Sequence, residues 1–376
     1  MILDISSSTF KDIMNDENLF LPIRWDGLDF LSTLDSLFNY YIKKLETAQK
    51  ANILDSNVLN VDIEGIKIVC GLIKSTMQYY LNGFPSKAYE CFMSVMDELM
   101  KTPLQIYQKS AFELFNNSRN RNNDSLQLFR VVSVGDNKPY SRSRVFHTPY
   151  NMRSKVSTSR YSIAGYPSLY LGTSLELCCE EIHINPHYDF TLASMFKLER
   201  SEAYTNTHIE VVELGVKPQD FVNRELNNEY YRRLIPIDLL NKKETKSAYL
   251  LWYPLIAACS YIRTNKNDPF AAEYIIPQLL MQWVRSEIGM KNKEQNHLMG
   301  IRYFSCASVK ASNMGFNYVF PTSGQQKSPS LPYCSVLTKV FRITNPIYIH
   351  EYESISHCEY YLQRSNNFDF ISENNY

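Results

Sequence analysis

Apolar residues recur at helical spacing along the first third of the chain and give way to short extended runs beyond it. Leu28, Leu31, Leu34, Leu37, Phe38, Tyr41, Ile42 and Leu45 form one stripe of a helix over 28–45. Ile66, Val69, Leu72, Ile73, Met77, Tyr80 and Leu81 repeat the pattern over 62–82, and Gly83 and Pro85 predict its stop. Two more amphipathic segments, 86–101 and 106–115, complete the reading of residues 1–125 as an all-α helical bundle. The tract NNSRNRNNDS (116–125) holds no apolar residue and predicts a linker.

After the linker the pattern changes to β-type runs, LFRVVSV (128–134), SLYL (168–171) and IEVVELGV (209–216), punctuated by Gly, Pro and Asn. Helical spacing returns at 174–182 and 270–288. Strands and helices mix without regular alternation, which predicts an α+β domain over 126–376 rather than a doubly wound sheet. The apolar run AYLLWYPLIAACSYI (248–262) is short for a membrane span and is interrupted by Pro254, so it predicts core. The final QRSNNFDFISENNY reads as a loosely packed tail.

Length and composition agree with two domains: 376 residues exceed the usual size of a single core, and 44% hydrophobic content with 13% aromatic suffices to fill two. Net charge is zero, but residues 1–125 carry 12 Lys and Arg against 16 Asp and Glu, and residues 126–376 carry 27 against 23. That asymmetry suits an anionic small molecule on the C-terminal part and falls short of a nucleic-acid footprint. The eight cysteines show no CxxC pair and no Cys/His spacing of a zinc site, so they read as buried thiols of a reducing compartment. The first 25 residues lack the basic start and apolar run of a signal peptide, and the expectation is a cytoplasmic protein with no membrane contact. No GxGxxG or Walker-type loop occurs. His147, His183 and His187 have no metal-ligand spacing and read as structural or exposed. Residues 1–125 contain no histidine, which disfavours helical RNase chemistry and leaves the bundle as a regulatory or partner-binding module.

Candidate chemistry concentrates in SRYSIAGYPSLYLGTSLELCCEEI, residues 159–182. Thr173 lies three residues before Glu176, the spacing of a capping box, and predicts a helix starting directly after the strand SLYL. Leu175, Cys178, Cys179 and Ile182 then share its apolar face, with Glu181 at the edge of that face and Glu180 further away. Three glutamates on an amphipathic helix ordinarily mark a solvated side, and an arginine or a strand tyrosine alone signals little. The joint pattern carries more. Gly165 and Pro167 turn the chain between Arg160 and the strand that bears Tyr170, ahead of Glu181.

This pattern resembles the RES domain family, named for its Arg, Glu and Ser. PFAAEYIIPQLLMQWV (269–284) is similar to the family's EYxxPQ helix, and GIRYFS (300–305), followed by Asn317, to its late GIxYxS strand. Together these stretches cover most of residues 126–320. The resemblance implies a mixed β core with flanking helices, similar to ADP-ribosyltransferase toxins, and a reaction at the N-glycosidic bond of NAD. It implies Glu181 as the carboxylate beside the ribose, Arg160 as the grip on pyrophosphate and Tyr170 as ring face and hydroxyl for nicotinamide. Ser305 becomes a hydrogen-bonding partner of ribose or phosphate, with Ser308 a nearby competitor, while Tyr161 and Arg130 line the pocket. NAD is then substrate, and no cofactor or metal is expected. The implied function is an NAD-consuming toxin or defence effector acting by hydrolysis or phosphorolysis. ADP-ribosyl transfer to a macromolecule, or a catalytically silent binding or antitoxin-type protein, are the alternatives. An antitoxin or regulatory partner and a homo-oligomer are expected alongside.

Overall fold

The computed structural model describes residues 2–5, 7–51, 59–101, 127–185, 189–198, 209–222, 243–265, 267–290, 297–322, 326–328 and 330–371. Its helices there are α1 (Ser7–Met14), α2 (Phe30–Ala51), α3 (Ile63–Leu81), α4 (Pro85–Lys101), α5 (Leu175–Ile182), α6 (Lys243–Ala258), α7 (Ile275–Met290), α8 (Leu337–Val340) and α9 (Ile355–Gln363). Its strands are β1 (Ile2–Ile5), β2 (Leu59–Asp62), β3 (Gln127–Ser133), β4 (Ser168–Gly172), β5 (Thr191–Leu198), β6 (Ile209–Leu214), β7 (His297–Phe304), β8 (Phe316–Pro321), β9 (Gln326–Ser328), β10 (Leu331–Cys334), β11 (Phe341–Thr344), β12 (Ile347–Tyr348) and β13 (Phe368–Asp369). The chain divides into two compact units: Met1–Tyr107 with Val216–Trp283, and Gln108–Gly215 with Val284–Tyr376.

The first unit is built on the helical stripes. Ile66, Val69, Ile73 and Met77 of α3 are buried, as are Phe92, Val95, Met96 and Leu99 of α4, and these two helices pack on each other. Leu34, Phe38, Tyr41 and Leu45 supply the buried stripe of α2. The apolar run at 248–262 is core, as its composition predicts: α6 is buried on every side from Ala248 to Ala258, with Pro254 inside it. A helix apolar all round needs helices around it, and α6 packs on α3. Residues 216–283 therefore group with the N-terminal helices, whereas the sequence places one boundary at 125/126 and all that follows with the sheet. Nor is the bundle all-α: β1 and β2 pair antiparallel, Ile2 opposite Asp62 and Ile5 opposite Leu59. Four-residue strands are too short to display a period-two pattern. The helix expected at 106–115 and the linker at 116–125 lie outside the described residues.

The second unit confirms the α+β class. Among the described residues, nine strands form one sheet in the order β13-β11-β5-β3-β4-β8-β7-β6, with β12 also on β5. Only β6 and β7 run parallel; β9 and β10 form a separate ribbon. Residues opposite one another across a ladder share a face. The register thus puts Phe129 and Val131 of β3, Tyr170 and Gly172 of β4, Asn317 and Val319 of β8, and Ile301 and Tyr303 of β7 on one face. Leu175, Cys178 and Cys179 of α5 pack there on Phe129, Val131, Ala193 and Met195, joined by Cys358 and Leu362 of α9. The C-terminal segment is less loose than its composition suggests, because Phe368 and Asp369 pair with Thr344 and Ile343 at the sheet edge. No described helix is long and apolar enough to cross a membrane.

Candidate active site

The strand-to-helix corner follows from close packing at Gly172. A Cβ there would lie 2.7 Å from Cys178 Sγ and 3.4 Å from Asn317 Oδ1, so only glycine lets α5 settle this near to β8. The helix begins one residue later than the sequence spacing predicts. Ser174 is its cap, accepting from Leu177 N at 3.2 Å. Thr173 is spent instead on tying the corner to β8, its hydroxyl accepting from Phe316 N at 2.9 Å. Nothing in the local sequence distinguishes the two hydroxyls; the approach of β8 does.

With Leu175, Cys178 and Cys179 on the sheet, the two adjacent carboxylates of α5 part. Glu180 forms a solvent-exposed ion pair with Lys310 at 3.2 Å. Glu181 turns toward the sheet, and its Oε1 accepts a hydrogen bond from Asn317 Nδ2. Asn317 is 4% exposed, so the amide fixes the carboxylate against a buried wall. The thiols of α5 offer no competing nucleophile. Burial pushes Cys178 far up and Cys179 to about 12, which keeps both protonated at neutral pH.

Tyr170 explains the ten-residue interval back to Arg160. Its hydroxyl is within hydrogen-bond distance of Ser159 Oγ (2.7 Å) and Ser162 Oγ (2.8 Å), and Ser162 also donates to Ser168 Oγ at 2.9 Å. Ser159 and Ser162 exchange backbone hydrogen bonds of 2.8 and 3.1 Å, closing a tight turn with Arg160 and Tyr161 at its apex. The phenol of Tyr170 therefore staples the arginine turn to the strand. Arg160 is 9% exposed there, and Tyr161 is buried with its ring 4.7 Å from that of Tyr303.

Tyr303 is the residue that the sequence did not single out. It lies 6% exposed on β7, opposite Asn317 on β8. Burial is the main reason its phenol is held far above the usual tyrosine value. The Glu181 carboxylate, Tyr170 and Tyr161 push in the same direction, and the Arg160 guanidinium pulls back. Four of the six sequence-selected residues thus converge electrostatically on one neutral phenol. Its hydroxyl makes no hydrogen bond with a described residue. The signal was present in GIRYFS, where period-two alternation sets Tyr303 opposite Arg302, but which face carries chemistry is decided by the neighbouring strands.

The other two candidates stand apart. Arg130, one residue out of phase with Phe129 and Val131, belongs to the opposite face of β3. It reaches the site region through the backbone, donating to the Tyr170 carbonyl at 3.4 Å. Burial brings its guanidinium down to about 10, with Cys178 and Tyr170 opposing and Arg144 adding to the shift. Ser305 follows β7, fully buried, and its Oγ accepts from Ala307 N at 3.1 Å; Ser308 caps the next turn, accepting from Ala311 N at 3.0 Å. Both hydroxyls retain a proton to donate.

Among the histidines, His147 is structural. Its Nε2 accepts from Cys334 N at 2.9 Å, which leaves the proton on Nδ1, 2.8 Å from Thr148 O. Burial holds it neutral and lowers it to about 4. His183 takes a left-handed conformation, φ 52°, as the cap that ends α5. His187 lies outside the described residues. Among the described residues no group of three or more His, Cys, Asp or Glu is arranged to hold a metal ion.

The sequence is 27% identical over 342 residues to a protein of Bacillus subtilis (strain 168) named "Putative toxin YopC", an alignment covering 89% of this chain and 69% of that protein. No family model matches. No solved structure matches.

Proposed function

We propose that the second unit cleaves the nicotinamide N-glycosidic bond of NAD, as the resemblance to RES domains implies, and that the protein acts as a toxin by depleting NAD. The observation that supports the reading best is the gathering of Glu181, Arg160, Tyr170 and Tyr161 around the buried phenol of Tyr303. The similarity to a protein named as a toxin supports the cellular outcome.

In this reading the C1′–N bond of the nicotinamide riboside breaks with its electron pair leaving on nitrogen, so nicotinamide departs neutral and positive charge develops on the ribose. Glu181, oriented by Asn317, stabilises that charge as paired carboxylates do in glycosidases. In hydrolysis a water oxygen then bonds to C1′ and its proton passes to the Glu181 carboxylate; in phosphorolysis an anionic phosphate oxygen bonds to C1′ and no proton need leave it. Arg160 presents a planar fork to the pyrophosphate. Tyr170, its hydroxyl held by two serines, offers a fixed ring face to the pyridine base.

The test is nicotinamide release from NAD by the purified full chain, with and without phosphate, beside Glu181→Ala. Release by wild type and its loss in the variant are expected, together with restored growth and NAD content in cells expressing the variant. Absence of release under both conditions overturns the reading. Label retained on lysate proteins instead of free ADP-ribose would shift the reaction to ADP-ribosyl transfer.

A further inference from the structure

Two arginines in the second unit share one aromatic platform, and no described carboxylate pairs with either. Arg285 of α7 lies with its guanidinium carbon 3.8 Å from the ring centroid of Tyr166. Arg153 sits 5.5 Å from that same ring and 4.8 Å from the ring of Tyr150. Arg153 also donates to the Gly165 carbonyl at 3.4 Å, which ties it to the loop that carries Arg160. Among the described residues neither arginine pairs with a carboxylate. The ion pairs of this unit engage Lys138, Arg142, Arg302, Lys310 and His357 instead.

Arg285 is half-buried and Arg153 faces water beside it, so the like charges are partly screened, but no described carboxylate pairs with either to offset the burial of Arg285. Burial lowers Arg285, and the charge of Arg153 lowers it further, with only tyrosine and cysteine opposing. Buried or half-buried arginines are ordinarily matched by carboxylates, because the cost of removing charge from water needs an opposite charge to offset it. Arg302 of the same unit shows the matched case, fully buried against Glu213 and Phe316. The unmatched pair has the chemistry of an open anion seat: two planar forks, each able to grip phosphate oxygens bidentately, on a ring that fixes their direction.

Its place along the chain says which anion. Tyr166 precedes Tyr170 by four residues, on the order of 13 Å of extended chain from the ring proposed to face nicotinamide. We infer that Arg153 and Arg285 hold a phosphate of the bound nucleotide, on the side of Tyr170 away from Glu181. The choice of a nucleotide rests on the proposed NAD cleavage; the seat itself rests on the arginines.

The test is calorimetric titration of ADP, adenosine and inorganic pyrophosphate into the full chain carrying Glu181→Gln, with and without Arg153→Gln/Arg285→Gln. The double substitution should weaken ADP at least tenfold and flatten the dependence of its affinity on salt, while thermal unfolding shifts by no more than a few degrees. Arg153→Lys/Arg285→Lys, which keeps charge and removes the forks, should fall between. Adenosine should bind much more weakly than ADP, and pyrophosphate should compete with ADP. Affinity for ADP within threefold of the parent in the double Gln variant overturns the seat, as does failure of the parent to bind ADP at millimolar concentration. The two readings part cleanly: if wild type releases no nicotinamide yet binds ADP through these arginines, the reaction falls and the seat stands. If the double Gln variant cleaves NAD with unchanged KM, the seat falls and the reaction stands.

Discussion

Three buried tyrosines of the helical unit and the two site tyrosines of the sheet unit, Tyr170 and Tyr303, use their hydroxyls differently. In the helical unit Tyr41 donates to Leu250 O at 2.8 Å, Tyr249 to Val216 O at 3.0 Å and Tyr253 to Leu19 O at 3.0 Å. Each hydroxyl is consumed by a backbone carbonyl, and each ring fills core. In the sheet unit the half-buried Tyr170 places its hydroxyl within hydrogen-bond distance of two serine hydroxyls and Tyr303 makes no hydrogen bond with a described residue, whereas Tyr333 and Tyr348 donate to backbone carbonyls as the tyrosines of the helical unit do. A buried phenol without a partner is costly unless something else completes it. The contrast separates tyrosines whose hydroxyls are consumed by backbone carbonyls from Tyr303, whose hydroxyl has no hydrogen bond with a described residue and lies where the proposed NAD site needs a donor.

The sharpest test of that contrast is Glu181→Gln, which keeps the shape and the Asn317 contact region while removing the charge. Nicotinamide release should fall a hundredfold or more, by analogy with the loss of a catalytic carboxylate, with thermal stability nearly unchanged. A stability loss instead would place Glu181 with the structural group.

Next in size is the pH response of the buried histidine. His147 is lowered from 6.5 to about 4 in the fold. The unfolded chain therefore binds its proton first as pH falls, so the stability His147 contributes is present at pH 7 and is lost between about 6.5 and 4. The loss should amount to about 2 kcal/mol between pH 7 and 5. Chemical denaturation at the two pH values checks this, and His147→Gln should flatten the response.

Tyr303→Phe and Tyr253→Phe then form an opposed pair. The first removes a hydroxyl that makes no hydrogen bond with a described residue, and should raise KM for NAD about tenfold while leaving the unfolding temperature in place. The second strips the donor from Leu19 O and should cost about 1 kcal/mol of stability with unchanged kinetics. Reversed outcomes would erase the distinction. Smallest is Glu180→Gln, neighbour of the proposed catalytic carboxylate. Its pair with Lys310 is exposed, so stability should move by less than about 0.5 kcal/mol and activity should persist.

Much of this was legible along the chain. The stripes at 28–45 and 62–82 became α2 and α3, and the run SLYL became β4. The edge position of Glu181 on α5 also came from spacing alone, because helical period is a local property and three apolar neighbours fix which way the fourth side chain turns. The features that local pattern does not show share a cause as well. The cap moved from Thr173 to Ser174 because β8 claims the first hydroxyl, Arg130 fell on the far face because the pairing of β3 with β5 sets its phase, and residues 216–283 grouped with the helices they could bury against.

The sequence by itself determined the α+β character of the second unit, since periodicity and turn residues are written locally, and its resemblance to RES domains singled out Arg160, Tyr170 and Glu181. Only the tertiary structure decided that the buried phenol of Tyr303 feels all three of their charges and dipoles, that Asn317 holds Glu181, and that Arg153 meets Arg285 over Tyr166. Those relations join residues more than a hundred positions apart, or on separate elements. Register across strands and the packing of helices on the sheet fix such distances, and no local pattern records them.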